Sequence, residues 1–555
     1  MIFEELRELQ HKHGYLPAGE LVSLSARSGV ALNQIHTVAS FYPHFRMSPP
    51  AKADVRVCDD MSCHLRGAGE LRAGLESRFR GAAAGDISFR DVSCLGRCDS
   101  APAISINDRI YSGVTGAQCD AMLKDLLQGT PLPPVIEKHV PVPLGSDPYP
   151  PTARYGVLRK ILETRDWLGA LATLKASDLR GLGGAGFPTG SKWDYVRNAP
   201  GDEKYVVCNA DESEPGTIKD RFIMRHIPHM VIEGMILAGV ITGAKKGILY
   251  IRHEYQAQEK ILHQEIQHCY QQGLLGANIA GSGITFDLEI FVSPGGYICG
   301  EETALIEAIE GKRSEPRNKP PFPVTHGLWN KPTVLNNVET FSNVPLILEK
   351  GVEWFKAQGQ EGATGLKFVG VSGHVVRPGV YEVPMGIRAS EVILGLAGGV
   401  PDGKKLKAWA PSGPSSGYLP ASMLDVRLDF KSLAAAGSML GSGAIVVCNE
   451  DTCALDMALN AVRFFRNESC GKCVPCRVGS QKMVDILTGW TEGKGVEADM
   501  SLLDDLADAM KLTSICGLGQ VVPVPIASVV KHFREEIDDH ILRHRCPTGV
   551  CPTGR

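Results

Sequence analysis

The chain has 555 residues, 43% of them hydrophobic and 22% charged, with a formal net charge of −4. That length predicts about three to five domains of roughly 100–200 residues each, and the near-neutral balance offers no attraction for nucleic acid or an anionic membrane surface. The N-terminus is charged throughout, without the apolar core of a signal peptide, and the best apolar run, around Met230–Gly243, is broken by Glu233. A cytoplasmic protein is expected, soluble or peripheral to something else, with no membrane insertion.

In chain order, residues 9–42 read as small helices with apolar spacing. Cys58 and Cys63 follow in VRVCDDMSCHLRGAGEL, a C-x4-C pair, and Cys94 and Cys98 in FRDVSCLGRCDSAPAI, a C-x3-C pair. A β-like run precedes each pair (Ala53–Val57, Ile87–Val92), and a helix-like stretch, His64–Phe79, follows the first. Two loops leaving strands at one end of a sheet can place four thiolates around one metal centre. A [2Fe–2S] cluster, a zinc ion and unrelated buried cysteines all fit the spacing. The 16 cysteines are many for a reducing compartment, where clustered thiols more often bind metal than form disulfides.

The fuller pattern C-x4-C…C-L-G-x-C-D-x-A-P resembles the thioredoxin-like [2Fe–2S] domain of respiratory NADH dehydrogenase (complex I). The upstream helices resemble the segment before that domain in the same family, so the likeness covers roughly residues 1–125. It implies Cys58, Cys63, Cys94 and Cys98 as cluster ligands.

Residues 130–153 (TPLPPVIEKHVPVPLGSDPYPPTA) are proline-rich and predict a linker or a strap across a surface. LRGLGGAGFPTGSKW (179–193) formally holds a G-x-G-x-x-G fingerprint, but Trp167–Leu179 before it reads as an amphipathic helix and Pro188 soon follows. An ordinary Rossmann loop needs a strand before the glycines, so that reading is rejected. The glycines still allow backbone N–H groups to approach a phosphate or flat ring, or simply make a tight turn.

YVVCNADESEPGTIKDR (205–221) is a strand ending in polar and acidic groups, either a ligand-bonding edge or a solvated acidic loop. GGYICGEETALIEAIEGKRSEPR (295–317) opens a helix near Thr303, where Glu301 and Glu302 can serve as helix-dipole partners. PTVLNNVET (332–340) supplies two adjacent amides. Together these segments are similar to the FMN- and NADH-binding subunit of complex I, nearly continuously over about 150–345. The resemblance implies one pocket holding FMN with nicotinamide stacked on it. It places Gly181, Gly183, Lys192, Asn209, Asp211, Ser213, Gly300, Glu301, Glu302, Asn336 and Asn337 on the FMN side. It places Gly184, Phe187 and Glu214 at NAD(H), with Lys192 shared. A carboxylate such as Glu214 would accept from a ribose hydroxyl and repel a 2′-phosphate, favouring NAD over NADP. One departure stands out: the family usually reads G-R-G-G-A-G, and here Leu182 replaces the arginine, as it does in the flavin subunits of soluble NAD-linked formate dehydrogenases that the sequence resembles.

Residues 366–400 alternate short β-runs with Gly and Pro, then turn helix-like; they resemble the ubiquitin-like β-grasp domain of the family and are assigned no chemistry. In NESCGKCVPCRVGSQKM, Cys470, Cys473 and Cys476 form C-x2-C-x2-C, and Cys516 follows alone in LTSICGLGQ. Three thiolates on a tight loop plus a distant fourth suit a [4Fe–4S] cluster, with zinc the competitor. Helical patterns at Asp456–Phe465, Gln481–Leu487 and Leu502–Lys511 suggest a bundle around it. In the tail, HRCPTGVCPTGR carries Cys546 and Cys551, which could be inert, a redox pair, or half of a site completed by a partner. Cys119, Cys208, Cys269, Cys299, Cys448 and Cys453 read as core residues.

The expected fold is α/β multidomain. An N-terminal helical segment (1–48) precedes a thioredoxin-like [2Fe–2S] domain (49–128) and a Pro-rich linker (129–153). A Rossmann-like α/β FMN/NAD(H) domain (154–350), a β-grasp domain (351–435) and a helical [4Fe–4S] domain (436–555) follow. The implied function is electron exchange between NAD(H) and iron–sulfur clusters through FMN. No catalytic acid, base or nucleophile is expected, because the cofactors carry the chemistry. With no molybdenum, tungsten or nickel–iron motif in the chain, the expected partner is a separate catalytic subunit holding a molybdenum or tungsten cofactor and further clusters. The resemblance favours a formate dehydrogenase over a bidirectional hydrogenase, and places a complex I subunit third. An electron-transfer module without nucleotide turnover and a zinc-stabilised binding protein are the readings from other classes.

Overall fold

The computed structural model describes residues 2–83, 85–135 and 144–554. Three helices, Ile2–His13, Ala18–Ser28 and Leu32–Phe41, lead into a four-stranded sheet. Its strands are β1 (Ala53–Cys58), β2 (Ile87–Val92), β3 (Ala103–Ile106) and β4 (Arg109–Ser112), in the order β2-β1-β3-β4. β1 runs parallel to β2 and antiparallel to β3. Both cysteine pairs leave this sheet at the carboxyl ends of β1 and β2. The helix expected over 64–79 is two pieces, Ser62–Leu65 and Ala68–Arg78. Gly67, at φ +81°, breaks it in a left-handed conformation that a residue with a Cβ avoids.

The strap is pinned at both described ends. Arg109 and Tyr111 donate to the carbonyls of Leu132 and Pro133, and Glu382 accepts from the N–H groups of Gly145 and Ser146. Residues 136–143 of the proline-rich stretch lie outside the described residues.

A second sheet holds β5 (Tyr205–Ala210), β6 (Lys246–Arg252), β7 (Asp287–Ser293) and β8 (Thr333–Asn337). All its pairs are parallel and the order is β7-β6-β5-β8. Such strands are covered on both faces and so read as near-continuous Val/Ile/Leu runs. The helix Pro228–Thr242 is buried along its whole length. Glu233, the break in its apolar run, is only half satisfied inside: Tyr149 Oη and the Leu158 N–H both donate to its Oε1, at 3.2 and 2.9 Å, while Oε2 is buried without a hydrogen-bond partner, and burial pushes the carboxyl up to about 8. No helix among the described residues is long and apolar enough to cross a membrane.

The third sheet contains β9 (Leu366–Gly373), β10 (Gly379–Pro384), β11 (Leu406–Pro414), β12 (Leu419–Pro420) and β13 (Ala444–Asn449), ordered β10-β9-β13-β11-β12. β9 and β13 are its one parallel pair. The chain closes with helices Ala454–Asn467, Val474–Thr491, Ala498–Thr513, Val524–His532 and Arg534–Leu542. The first three contain the helical patterns read from the sequence. The expected architecture is present: thioredoxin-like front domain, parallel α/β domain, small mixed sheet and C-terminal helices.

Candidate flavin and cluster sites

The order β7-β6-β5-β8 makes β5 and β8 the neighbours at which the strand order reverses. Ligands of open parallel sheets bind at the carboxyl ends of strands at such a point. A cavity of about 300 Å³ lies there. Of the residues expected from the sequence, Gly183, Gly184, Asn209, Asp211, Ser213, Glu214, Gly300, Glu301 and Asn337 line it.

The glycine loop does not follow a strand. It joins helix Trp167–Ala176 to helix Thr189–Asn198 and closes on itself, with Gly181 N–H donating to Phe187 O at 2.9 Å. Gly183 is required by contact: a Cβ there would stand 2.8 Å from Asn337 Cβ. Leu182 is buried in the apolar core, with its N–H held by Thr340 Oγ1 at 2.9 Å. Its side chain therefore supports the loop from behind.

The acidic turn after β5 is organised from within. Asn209 Nδ2 donates to Gly300 O at 2.8 Å, and Ser213 Oγ donates to Asp211 at 2.7 Å. Burial pushes the carboxyls of Asp211 and Glu214 up to about 7. Glu214 is held by the Ser415 hydroxyl and N–H. Asn337 caps helix Val338–Lys350, and its amide donates to Asp220 at 2.6 Å. Glu301 caps helix Glu302–Ile309, and Lys319 Nζ bonds both Glu301 (2.9 Å) and Glu302 (2.7 Å).

Five expected residues stand outside the cavity wall. Gly181 closes the loop. Asn336 Oδ1 accepts from Trp193 Nε1 at 2.9 Å. Lys192 Nζ donates to Leu335 O at 2.9 Å, lies 3.9 Å from Glu302, and sits over the Phe187 ring, which is 45% exposed.

Sequence reasoning missed several contributors. Glu212 accepts from the N–H groups of Asp220 and Arg221 and from Tyr255 Oη. The third sheet and its connections supply Ser412, Ser415 and Ser442 to the cavity wall, none of them singled out from the sequence. Nothing in their local sequence marks them, because long-range strand pairing brings them there.

Cys58, Cys63, Cys94 and Cys98 are all buried at one end of the first sheet. The sulfurs of Cys94 and Cys98 are 3.4 Å apart, and Cys98 Sγ accepts from the N–H of Gly216 at 3.2 Å. Gly216 belongs to the turn that builds the cavity. Arg252 bridges the same two parts, donating to Cys94 O (2.7 Å) and Glu212 O (2.5 Å). Cys470, Cys473, Cys476 and Cys516 wall a small void. Burial raises Cys476 to about 11 and Cys516 to about 12, so metal binding there must displace protons. Ile298 and Leu518 line both this void and the flavin cavity. Four converging thiols in each set suit thiolate-ligated clusters.

Comparison with known proteins agrees with this arrangement. The Thioredoxin-like [2Fe-2S] ferredoxin family matches residues 1–127, and the Nuo51 FMN-binding domain matches 174–346. The SLBB domain matches 368–418, and the NADH-ubiquinone oxidoreductase-F iron-sulfur binding region matches 456–540. The F 2 subunit of the NADH-quinone oxidoreductase of Rhizobium meliloti (strain 1021) is 44% identical over 416 residues, 75% of this chain and 99% of that protein. The chain belongs to the NADH-quinone oxidoreductase flavoprotein family. A second relative, NADP-reducing hydrogenase subunit HndC of Solidesulfovibrio fructosivorans, is 45% identical over 409 residues, 74% of this chain and 83% of that protein. Among solved structures, a chain of an NAD+-reducing [NiFe]-hydrogenase in the H2-reduced state aligns with a TM-score of 0.86 and 33% identity. That alignment covers 97% of this chain and 93% of the other, so the fused front domain is included. This member of the flavoprotein family is thus an electron-transfer subunit with an FMN-binding domain, a [2Fe–2S] domain and a [4Fe–4S] domain.

The remaining cysteines divide. Cys119, Cys208, Cys269, Cys299 and Cys448 are buried, as expected of core residues. Cys453 is not a solitary core thiol: its sulfur lies 3.5 Å from that of Cys551 and 3.6 Å from His540 Nε2.

Proposed function

We propose that the protein exchanges electrons between NAD(H) and a larger, cytoplasmic oxidoreductase complex. The supporting observation is that Ile298 and Leu518 form a wall common to the flavin cavity and the four-cysteine void. When bound, FMN accepts a hydride and releases electrons singly, which thiolate-ligated clusters accept. Asn209, Asp211, Ser213, Gly300, Glu301 and Asn337 hold the flavin at the switch point, with Gly181, Lys192, Glu302 and Asn336 fixing the frame behind them. Gly183 lets the loop backbone approach the flavin, and Gly184 keeps the approach open for the nicotinamide. Phe187, exposed at the mouth, stacks on the adenine, and Glu214 accepts from a ribose hydroxyl. The domains of this reading are those expected from the sequence, except that β13 (Ala444–Asn449) belongs to the third sheet and carries the small mixed-sheet domain past residue 435.

The catalytic partner we favour is a formate-oxidising subunit with a molybdenum or tungsten cofactor, on the resemblance carried by Leu182. A hydrogenase partner is the second reading, favoured by the 97% coverage in the alignment with the NAD+-reducing hydrogenase chain. The test is to purify the chain with its co-purifying subunits and follow NADH absorbance with formate and NAD+ under anaerobic conditions. NADH formation with a molybdenum- or tungsten-bearing subunit supports the formate reading. Failure with formate but turnover with hydrogen transfers the assignment to the hydrogenase. Failure of flavin- and iron-replete protein to reduce a dye with NADH overturns the proposal.

A further inference from the structure

Beside the two four-cysteine sets, ligand-type side chains from two distant stretches of the chain meet once more. Cys453 stands at the start of helix Ala454–Asn467, His540 lies on helix Arg534–Leu542, and Cys546 and Cys551 lie in the tail. All four are buried: 1%, 0%, 8% and 1% exposed. Their ligand atoms lie within 4.8 Å of one another, and no other such group converges this tightly among the described residues.

The distances suit one ion and not a cluster. A tetrahedral centre with Zn–S of about 2.3 Å and Zn–N of about 2.05 Å has ligand–ligand edges of about 3.6–3.8 Å. The sulfur–sulfur and sulfur–nitrogen approaches at Cys453 are 3.5 and 3.6 Å. The imidazole is oriented for this task. His540 Nδ1 lies 2.7 Å from Glu536 O, which assigns its proton to Nδ1 and leaves the Nε2 lone pair facing the sulfurs. Backbone N–H groups of Asp456 and Cys551 point at the sulfurs of Cys453 and Cys546, both at 3.5 Å, and favour their thiolate forms.

We propose that Cys453, His540, Cys546 and Cys551 hold a structural zinc ion. Four protein ligands leave no open position, so the ion is a clamp and not a catalyst. It fixes the tail against the start of helix Ala454–Asn467. The next turns of that helix grip the front domain: Asp456 pairs with His64 at 2.7 Å, and Asn460 bonds Asp59 O and Met61 N–H at 2.7 and 2.8 Å. These contacts fall on the loop carrying Cys58 and Cys63, so the zinc steadies the helix on which the [2Fe–2S] loop is seated.

The test is elemental analysis of the full chain, purified with its co-purifying subunits and without added metal. About one zinc per chain is expected, in addition to cluster iron. Cys551→Ser and His540→Gln should each lower zinc at least tenfold while iron and FMN per chain stay unchanged. Absence of zinc from the wild type overturns the proposal. So does an extra iron that the variants lose, or a Cys546–Cys551 disulfide found by mass spectrometry. Should both variants fail to fold, zinc K-edge absorption of the wild type decides: three sulfurs and one nitrogen support the clamp, and an oxygen-rich shell overturns it.

Discussion

The N–H of Gly216 donates to Cys98 Sγ at 3.2 Å across 118 positions of sequence. The turn that builds the flavin cavity therefore also contacts a sulfur of the front domain's four-cysteine set. Arg252 joins the same two parts, tying Cys94 O to Glu212 O. The front domain is thus docked by contacts at its cluster loop.

Arg252 is 3% exposed and also pairs with Glu254 at 2.9 Å. Arg252→Ala removes the main partner of the half-buried Glu254, leaves it only His253 at 3.3 Å, and breaks both carbonyl contacts, at a cost of about 2–4 kcal/mol. The expected outcome is a lower melting temperature and faster proteolysis within the 130–153 strap. Arg252→Lys should recover part of the loss. Unchanged melting and cleavage would count against the docking role.

Gly183→Ala drives a methyl toward Asn337 Cβ, 2.8 Å away. Overpacking of this kind costs about 1–3 kcal/mol, and whichever of the loop and Asn337 gives way, a residue of the cavity wall is displaced. Flavin per chain, read from its visible absorbance after gel filtration, should fall at least tenfold. Full occupancy would show that the loop does not contact the flavin.

Burial raises the Glu214 carboxyl from 4.5 to about 7, with the Ser415 bonds opposing it. Its folded value then exceeds its unfolded value, so the unfolded state releases a proton first. Stability is lost as pH rises from about 4.5 to 7, by about 3 kcal/mol for this group, and is flat above. Asp211 and Glu212, also raised to about 7, add to the same fall. Urea unfolding of flavin-free protein should show the decline, and Glu214→Gln should remove a share of it. An identical slope in the variant refutes the assignment.

Cys516→Ser removes the distant thiol from the void that it walls with Cys470, Cys473 and Cys476 and that we propose holds the [4Fe–4S] cluster. About four irons per chain should be lost while the [2Fe–2S] signal in electron paramagnetic resonance persists. Iron unchanged from the wild type would show that Cys516 is not a ligand.

What the sequence made legible was whatever chemistry lies on one short segment. C-x4-C, C-x3-C and C-x2-C-x2-C announce ligands because one loop must present them, and the glycine loop and acidic turn carry their composition with them. The strand order β7-β6-β5-β8 left no local trace, since pairing is a non-local choice. Ser415 looked like any loop serine until β11 carried it to Glu214. Cys453 looked like a core thiol because the residues that face it, His540 and Cys551, lie 87 and 98 positions away. Leu182 was legible as a departure from the family pattern, but its burial behind the loop depends on the packing of helix Val338–Lys350.

The cavity wall draws on residues as far apart as Gly183, Asn209, Gly300, Ser442 and Val521. Nearly the whole chain must therefore be synthesised before the wall can close. A truncated or half-folded product cannot present a finished flavin seat. Flavin bound per chain therefore reports how much of the protein has completed its fold.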